Sequence, residues 1–592
     1  MKKIKIVIMG GFLSLIALSC SKSWLSPEPL SFYTPENVYQ NPEGLAALAI
    51  TLKRDLKEET HNTGKPGTKQ YQHLVQEFAA SDLASPWSQL DFYKLTPNGS
   101  AIYNFVNMFD MMYTNIKNCN VLISRAKEVD FKTEAEKNAM LATGLWYRSY
   151  WYYRLVNTYG DVPFIGEEIS GAKLDFQSHS RSAILKKIEA DLEFAAKWLP
   201  VTAAPGELTK GAANHLLTKV YLANLEFDKA IASASEVING PYALMTTRFG
   251  KDAANNYRNV IWDLHRPENV SLTNNKETIL ATIDRYEAPS DARSSGLFTM
   301  RWYGASWFGA NVRDSEGKAG MVASGPMYDT LGRGNANVRL TGFYQYDVWS
   351  YKGATWNNTT DLRRADANWV DKHEYKYNNP ASKDFGKPVN LAYLAAPIDT
   401  FRFIYAVPHY KLFVPEQNPA VTIVAGGNGD WYLFRLAETY LLRAEAYYWK
   451  DQLNLAAEDI NKVRSRAKAL SVSPSEVNID FILDERAREL FAEEPRHAEM
   501  VRMSYILAKR GLNGYNLANF SEKNYYYDRV KRKNPTYDQK INLNGNVAAI
   551  APFHVLWPIP STIITANTKG VINQNKGYDG ADKNIAPLED IP

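Results

Sequence analysis

Helical periodicity over long stretches restricts the fold of this 592-residue sequence more than any other feature. The clearest stretch runs from about Glu134 to Tyr159 and ends at Gly160 and Pro163, a glycine and a following proline that are typical of a helix C-terminus. One face of this stretch is marked by residues spaced four and three apart: Leu145, Ser149, Tyr152, Val156 and Tyr159. The pattern predicts a long, buried aromatic helix in a mainly α protein.

Similar stretches lie on both sides of a different middle region. Helices are predicted over 43–57, 103–127, 182–199, 210–225, 227–239, 430–450, 453–470 and 480–508. Residues 240–428 instead carry scattered Gly, Asn, Pro and aromatic residues, with short strand-like runs such as 277–283. We interpret this region as a loop-rich, partly β excursion built onto a helical frame, and we expect Asp430 to cap the helix that follows it.

A weak internal repeat appears in the helical parts. The segment from Thr218 to Tyr221 is followed by Ala230, and the segment from Ala444 to Tyr447 is followed by Ala456. This spacing of small and aromatic residues is typical of tetratricopeptide-type helix pairs. The sequence alone does not separate this interpretation from a generic antiparallel helix hairpin.

The first twenty residues have the pattern of an export signal. A basic start is followed by an apolar stretch from Ile6 to Leu18, which is short for a membrane span, and then by Ser19 and Cys20. We predict a signal peptide over 1–19 and a lipidated, Pro-rich tether over 20–43, with the lipid on Cys20. The alternative is an ordinary signal peptide in which Cys20 is incidental. Cys119 lies in a helical stretch and is predicted to be a buried small side chain.

Charge and composition narrow the ligand class. Lys and Arg number 68 against 64 Asp and Glu, and no basic run is interleaved with aromatic residues, so nucleic-acid binding is not expected. The 14 Trp, 36 Tyr and 24 Phe residues are numerous enough to supply flat surfaces for sugar rings. Two loop segments combine aromatic and polar side chains, and their candidate ligand-binding residues are Trp87, Tyr93, Asn98, Trp302, Tyr303 and Trp307. The alternative is that these rings pack the excursion against the helices; Trp349, Trp356 and Trp369 are further candidates.

No complete catalytic or metal-binding motif is found. His373 and Glu374 are followed by Tyr377 where a metalloprotease helix needs a second histidine, and the nine histidines lack zinc-ligand spacing. We therefore predict no cofactor, no metal and no enzymatic activity. The acidic residues Glu485, Glu489, Glu493 and Glu494 are interpreted mainly as a solvated helix face. A glycosidase needs only two suitably placed carboxylates, so that alternative stays open at this point.

Charge spacing also predicts particular ion pairs in the helical frame. Glu438 and Glu445 are seven residues apart and share a helix face, and we expect both to pair with arginines of 464–486. Asp484 and Arg488 have the spacing of an ion pair within one helix.

Five segments together resemble the SusD/RagB family of outer-membrane nutrient-binding lipoproteins. They are the aromatic stretch 146–156 with its stop at 159–163, residues 209–222, residues 435–467, residues 485–502, and the pair 558–560 and 574–578. Pro495 departs from the family's usual glycine before Arg496. The resemblance spans nearly the whole chain and implies a tetratricopeptide-like helical fold divided into 44–240, the excursion 241–428, and 429–592.

The resemblance also implies a function. A lipoprotein of this family sits on the outer membrane, facing the exterior, and captures oligosaccharide together with a TonB-dependent SusC-like transporter, without cleaving the ligand. Three alternatives remain open: capture of peptide or glycopeptide by the same architecture, a surface glycosidase, and a purely structural lipoprotein.

Overall fold

The computed structural model describes residues 38–61, 73–86, 95–98, 105–309, 311–394, 400–539, 547 and 549–591. Cys20 and the predicted signal and tether up to residue 37 lie outside these ranges. In the described part, no helix has the length and apolar content needed to cross a membrane. The frame consists of α1 Pro42–Asp55, α2 Phe105–Glu128, α3 Glu134–Tyr159, α4 Arg181–Trp198, α5 Lys210–Ala223, α6 Phe227–Ile238, α7 Leu436–Trp449, α8 Leu453–Arg466, α9 Ile479–Leu490, α10 Arg496–Lys509 and α11 Tyr525–Lys533.

Successive helices of the frame pack side by side, and the prediction of a mainly α fold is confirmed. Helices α2 to α6 each contact the next one along the chain, and α7 contacts α8. Helix α6 also packs against α7, although the excursion separates them in sequence. The two halves of the frame are thus continuous in space. The domain boundaries predicted above stay predictions.

The two helix pairs α5–α6 and α7–α8 share one turn geometry. Leu225 and Asp451 both adopt positive φ, at 66° and 60°. The next N–H in each turn, from Glu226 or Gln452, donates to the carbonyl of Tyr221 or Tyr447 at 2.9 Å. Ala230 and Ala456, at the predicted close approach, are completely buried. This agreement favours a true repeat over two unrelated hairpins.

Helix α3 has the predicted boundaries. Thr133 and Glu136 form a reciprocal capping box at its start, and Gly160 ends it with φ of 71°. Its aromatic face is buried, with the ring of Trp146 stacked 5.7 Å from that of Tyr150. The aromatic stretch is therefore core, as predicted, and so is Cys119, which is fully buried in α2.

Two local predictions are wrong. Residues 480–508 do not form one helix, because the chain turns between α9 and α10 with Ala492 at φ of 61° and Pro495 immediately before α10. Asp430 does not cap a helix, because the apolar run Trp431–Arg435 forms a strand before α7 begins. The Asp430 carboxylate instead accepts hydrogen bonds from the N–H of Asp284 and the side chain of Arg285.

The excursion contributes most of one core cluster, and two short sheets pair its strands with strands of the flanking parts of the chain. Strands β1 Ala84–Pro86 and β3 Val338–Leu340 pair antiparallel, with Ala84 opposite Leu340. Strands β2 Thr278–Thr282 and β4 Trp431–Arg435 also pair antiparallel, with an irregularity near Leu280, which confirms the strand predicted near 277–283. Its short helical segments are Val260–Leu264, Pro267–Val270, Thr299–Tyr303, Pro326–Leu331, Gly342–Gln345, Thr400–Phe403 and His409–Leu412. Because β4 leads directly into α7, the C-terminal end of the excursion is fixed to the frame.

Buried ion pairs join the excursion to the frame. Arg363, from the excursion, donates to Glu485 and Glu489 of α9, each at 2.8 Å. Glu493 and Glu494, in the turn after α9, are also buried and paired with cations that include Arg435 and Arg486. The interpretation of the four glutamates as a solvated face is therefore wrong, because cations from other elements cover and neutralise them.

The predicted partners of the frame glutamates are confirmed in part. Glu438 pairs with Arg486 at 2.9 Å, inside the predicted range. Glu445 pairs instead with Arg502 of α10. The predicted pair of Asp484 and Arg488 is not formed, because Asp484 pairs with Arg529 at 2.6 Å and Arg488 binds Glu485.

Candidate ligand-binding surface

Of the first predicted loop segment, the structure describes Asn98 but not Trp87 or Tyr93, which lie outside the described residues. Asn98 is exposed, and its side-chain oxygen accepts a hydrogen bond from the hydroxyl of Ser561. The N–H of Ser561 also donates to the carbonyl of Pro97 at 2.9 Å. Asn98 is thus held against the C-terminal segment of the chain.

The second predicted segment is buried. Trp302, Tyr303 and Trp307 are 4%, 1% and 1% exposed. The indole N–H of Trp307 donates to the carbonyl of Gly332 at 3.0 Å, and the carbonyl of Tyr303 accepts from the hydroxyl of Tyr405 at 2.8 Å. A sugar needs a ring face that solvent can reach, and this structure gives the three rings a packing role instead. Trp302, Tyr303 and Trp307 belong to one core cluster of the excursion.

The three further tryptophan candidates differ in exposure. Trp349 and Trp369 are each 2% exposed, and their indole N–H groups donate to the carbonyls of Tyr344 and Arg363 at 2.8 Å. Trp356 is partly exposed, and its ring lies 5.2 Å from the partly exposed ring of Tyr346. We call Tyr346 and Trp356 the aromatic pair. The sequence does not distinguish the exposed tryptophan from the two buried ones, because burial depends on contacts with distant segments.

A series of ring and cation contacts connects the aromatic pair to the buried core. The ring of Tyr344 stacks 4.3 Å from Phe491 and lies 5.8 Å from Trp369. The guanidinium of Arg364 lies 4.2 Å from the ring centre of Trp369 and 4.9 Å from that of Trp356. Arg364 is therefore placed between a buried and a partly exposed indole, an arrangement that stabilises both by cation–π attraction.

Arg364 itself is fixed by its neighbours. It donates two hydrogen bonds to the carboxylate of Asp371, at 2.8 and 3.2 Å, and one to the carbonyl of Gln345 at 3.4 Å. The N–H of Asp371 in turn donates to Glu374 at 2.7 Å. A planar guanidinium held at two points cannot rotate freely, so the cation next to Trp356 has a fixed position.

Polar groups border the aromatic pair. The ammonium of Lys372 lies 5.3 Å from the ring centre of Tyr346. Burial, helped by the nearby charge of Asp371, raises the pKa of Tyr346 to about 12, so its hydroxyl stays protonated at neutral pH. Next to Trp356, the side chain of Asn358 accepts from the N–H of Thr355 at 2.7 Å. The two rings are tilted by 58° to each other, and their apolar faces lie beside hydroxyl and ammonium groups, an arrangement that suits a ligand with an apolar face and a hydroxylated rim.

The acidic cluster of α9 does not have the properties of a catalytic pair. Burial alone would raise the pKa of Glu485, but Arg363, Arg488 and Arg464 outweigh it and hold that pKa far below the usual range. Such a carboxylate stays ionised and cannot act as a general acid at neutral pH. Among the described residues, no three His, Cys, Asp or Glu side chains are grouped in a way that fits a metal ion.

Comparison with known proteins identifies the family. The family model of the SusD family matches residues 276–578, just over half of the chain. The chain belongs to the SusD family. A second family model, described as "Starch-binding associating with outer membrane", matches residues 31–222 of this SusD-family chain.

Named relatives extend the likeness. SusD-like protein P2 of Formosa agariphila is 29% identical over 259 residues, which cover 40% of this chain and 46% of that protein. The match thus spans less than half the length of that relative. SusD-like protein P25 of the same organism is 22% identical over 534 residues, covering 85% of this chain and 91% of that protein.

Solved structures show the same fold. One of them, described as a laminarin binding SusD-like protein, superposes with a TM-score of 0.60 over 91% of this chain and 100% of its own. Sequence identity is 19%, so this similarity shows a shared fold and nothing more. The sequence-based prediction of family and fold is confirmed.

Proposed function

We propose that this chain is a glycan-binding lipoprotein of the outer membrane that captures oligosaccharide on the surface around Tyr346 and Trp356. The observation that carries the proposal is the aromatic pair itself: two partly exposed rings 5.2 Å apart on a rigid support. A preformed platform binds with less loss of conformational freedom than a flexible one. The starch-binding description of one matching family model and the laminarin binding of a structural relative support a glycan as the ligand.

The remaining parts of the proposal come from the sequence and the family. Trp87, Tyr93 and Asn98 stay candidate ligand contacts, and Cys20 stays the candidate site of lipid attachment. We also propose that the protein captures its ligand without turnover and passes it to a SusC-like TonB-dependent transporter. Recovery of such a transporter with the intact lipoprotein from detergent-solubilised outer membranes would support this partner, and its absence from the purified material would contradict it.

The binding surface is tested by calorimetric titration of the chain from residue 21 with laminarin and starch oligosaccharides. Trp356→Ala should weaken binding about tenfold or more, the loss expected for a central aromatic contact. Trp198→Ala is a matched control, because Trp198 is also a partly exposed tryptophan but lies at the end of α4. Equal affinity of the wild type and Trp356→Ala would exclude the aromatic pair as the site.

The same titrations separate the alternative functions. Binding of a peptide pool with no binding of any glycan would favour peptide capture. Release of new reducing ends during incubation with a bound glycan would favour a glycosidase. Absence of binding to both ligand classes would favour a structural lipoprotein.

A further inference from the structure

A second pair of partly exposed rings lies close in the chain to the aromatic pair. Tyr351 comes midway in sequence between Tyr346 and Trp356, and its ring lies 5.6 Å from that of Phe481 in the first turn of α9. These two rings are tilted by 59° to each other, against 58° in the aromatic pair. We call Tyr351 and Phe481 the second pair. Its ring separation and tilt are nearly those of the aromatic pair.

A buried arginine supports the second pair. The guanidinium of Arg464 lies 4.8 Å from the ring centre of Tyr351 and 5.5 Å from that of Phe481. Arg464 is 3% exposed, and it donates to Glu485 and to the carbonyl of Leu470, each at 2.6 Å. A guanidinium held by a carboxylate and a carbonyl keeps a fixed position beside the two rings.

Arg364 is placed in an equivalent way at the aromatic pair. It contacts Trp356, and it donates to the carboxylate of Asp371 and to the carbonyl of Gln345. Each of the two arginines is therefore buried, bonded to one carboxylate and one carbonyl, and in contact with a partly exposed ring. Two such surfaces can each contact the apolar face of a sugar with little loss of conformational freedom.

Polar groups border the second pair as well. The ammonium of Lys352 lies 5.1 Å from the ring centre of Tyr351. Lys352 also donates to the carbonyl of Ser471 at 2.9 Å and pairs with Glu476 at 3.1 Å. Burial, together with the hydrogen bond to Glu476, raises the pKa of Tyr351, so its hydroxyl stays protonated at neutral pH. Ammonium, carboxylate and hydroxyl groups beside two rings suit a hydroxylated ligand.

The chain keeps the two pairs near each other. Tyr351 and Ala354 exchange two backbone hydrogen bonds at 3.0 Å, which folds residues 351–354 into a tight turn, and Trp356 follows two residues later. Five residues span about 18 Å at most when fully extended, so the Cα atoms of Tyr351 and Trp356 are closer than that. The N–H of Leu362 donates to the carbonyl of Ala467 at 2.8 Å, which fixes this stretch against the end of α8. One oligosaccharide of several units is long enough to reach both pairs.

We propose that the second pair is a further subsite for the same oligosaccharide, so that the ligand is a chain of several sugar units that contacts both pairs. The inference rests on the proposed function, because it requires that the aromatic pair binds glycan. A ligand held at one pair meets the other at a high effective concentration, so two weak contacts combine into one stronger interaction. The surface therefore selects for chain length, because a disaccharide contacts only one pair.

Calorimetric titration of the chain from residue 21 with laminaribiose, laminarihexaose, maltose and maltohexaose tests this inference. The wild type should bind the hexasaccharide of the preferred glycan at least tenfold more tightly than its disaccharide. Tyr351→Ala should weaken hexasaccharide binding about tenfold, the loss expected for an aromatic contact. It should leave disaccharide binding unchanged, because the aromatic pair still holds that ligand. Tyr351→Phe keeps the ring and should retain tight binding of the hexasaccharide.

Tyr257→Ala is the matched control, because Tyr257 is 64% exposed and its ring centre lies 5.2 Å from the guanidinium of Arg258, but it belongs to neither pair. It should bind both lengths as the wild type does. Wild-type affinity of Tyr351→Ala for the hexasaccharide, with weaker binding by Trp356→Ala, would overturn the second subsite and leave the proposed function intact. Wild-type affinity in both variants would contradict the proposed function as well. Equal losses for disaccharide and hexasaccharide in Tyr351→Ala would indicate general loosening of the surface and would also overturn the second subsite.

Discussion

Arg502 forms a two-point ion pair with Glu445, with N–O distances of 2.6 and 2.7 Å, in a part of the core where both side chains are completely buried. The pair links α7 to α10. Arg502 also contacts Glu499 at 3.0 Å, and Glu445 accepts from the indole N–H of Trp449. The helical frame is therefore held together internally by charged groups as well as by apolar ones.

Glu445→Gln should lower the free energy of unfolding by about 3 kcal/mol, measured by urea denaturation. Removing one partner of a buried pair leaves a desolvated charge, which usually costs about 3–5 kcal/mol. We expect the lower end of this range, because Arg502 still pairs with Glu499. Glu236→Gln is the control, because Glu236 pairs with Lys210 at the exposed surface, where a pair contributes about 1 kcal/mol or less. Weaker glycan binding by folded Glu445→Gln would contradict a purely structural role.

Buried histidines should make the protein less stable in mild acid. Burial and the charge of Lys411 lower the pKa of His265 to about 4, and burial and Arg258 lower that of His409 to about 3. Both are neutral in the folded chain, whereas the unfolded chain takes up protons below pH 6.5. Stability should therefore fall as the pH decreases from 6.5 to 4, by about 1.4 kcal/mol per pH unit for each histidine.

Urea midpoints between pH 7.5 and 4.5 measure this dependence. His409→Gln should reduce the slope by about 1.4 kcal/mol per pH unit, the contribution of one proton. A slope that is unchanged in His409→Gln would show that the acid sensitivity comes from other groups.

Trp307→Ala should act on stability alone. The indole is buried against Tyr328 and bonded to Gly332, so its removal leaves a cavity that costs about 3–5 kcal/mol. Titration of the folded variant at low temperature should give the wild-type glycan affinity. A loss of glycan affinity at unchanged stability would instead indicate that Trp307 contacts the ligand.

Trp87→Ala tests the part of the predicted site that lies outside the described residues. If Trp87 contacts the ligand, calorimetry should show binding about tenfold weaker at unchanged melting temperature. The double variant Trp87→Ala with Trp356→Ala then decides whether the two rings hold one ligand. Independent losses that add in free energy indicate separate contacts, whereas a smaller combined loss indicates one coupled site.

Local signals explain which elements the sequence predicted well. Helix α3 carries its own cap at Thr133, a helical spacing of aromatic residues and a stop at Gly160, all within about thirty residues. The break before α10 was missed because it depends on Ala492 at positive φ, a conformation that alanine rarely adopts. The partner of Glu445 was also missed, because Arg502 lies in α10, beyond that break and outside the predicted range 464–486.

Distant contacts explain what the sequence left undecided in the site. The glutamates of α9 are neutralised by nearby arginines such as Arg488 and also by Arg363, more than a hundred residues away in the chain, and no local signal indicates this distant partner. Trp307 and Trp356 both lie in aromatic loop segments. Gly332 and Tyr328 cover Trp307, whereas Trp356 is partly exposed and contacts Arg364. Burial of a loop tryptophan depends on such non-local packing and has no local sequence signal.

Arg364→Lys should weaken glycan binding without removing any proposed ligand contact. A lysine cannot form the two-point bond to Asp371 or place a planar cation near both Trp369 and Trp356, so the aromatic pair loses its rigid support. We expect about fivefold weaker binding by calorimetry, with a larger entropic cost because Trp356 must be ordered by the ligand. Arg363→Lys is the control: Arg363 is equally buried and ion-paired, but its guanidinium supports α9 rather than Trp356. That variant should unfold at lower temperature yet bind glycan normally when folded, and equal loss of affinity in both variants would mean that general loosening, rather than the position of Trp356, controls binding.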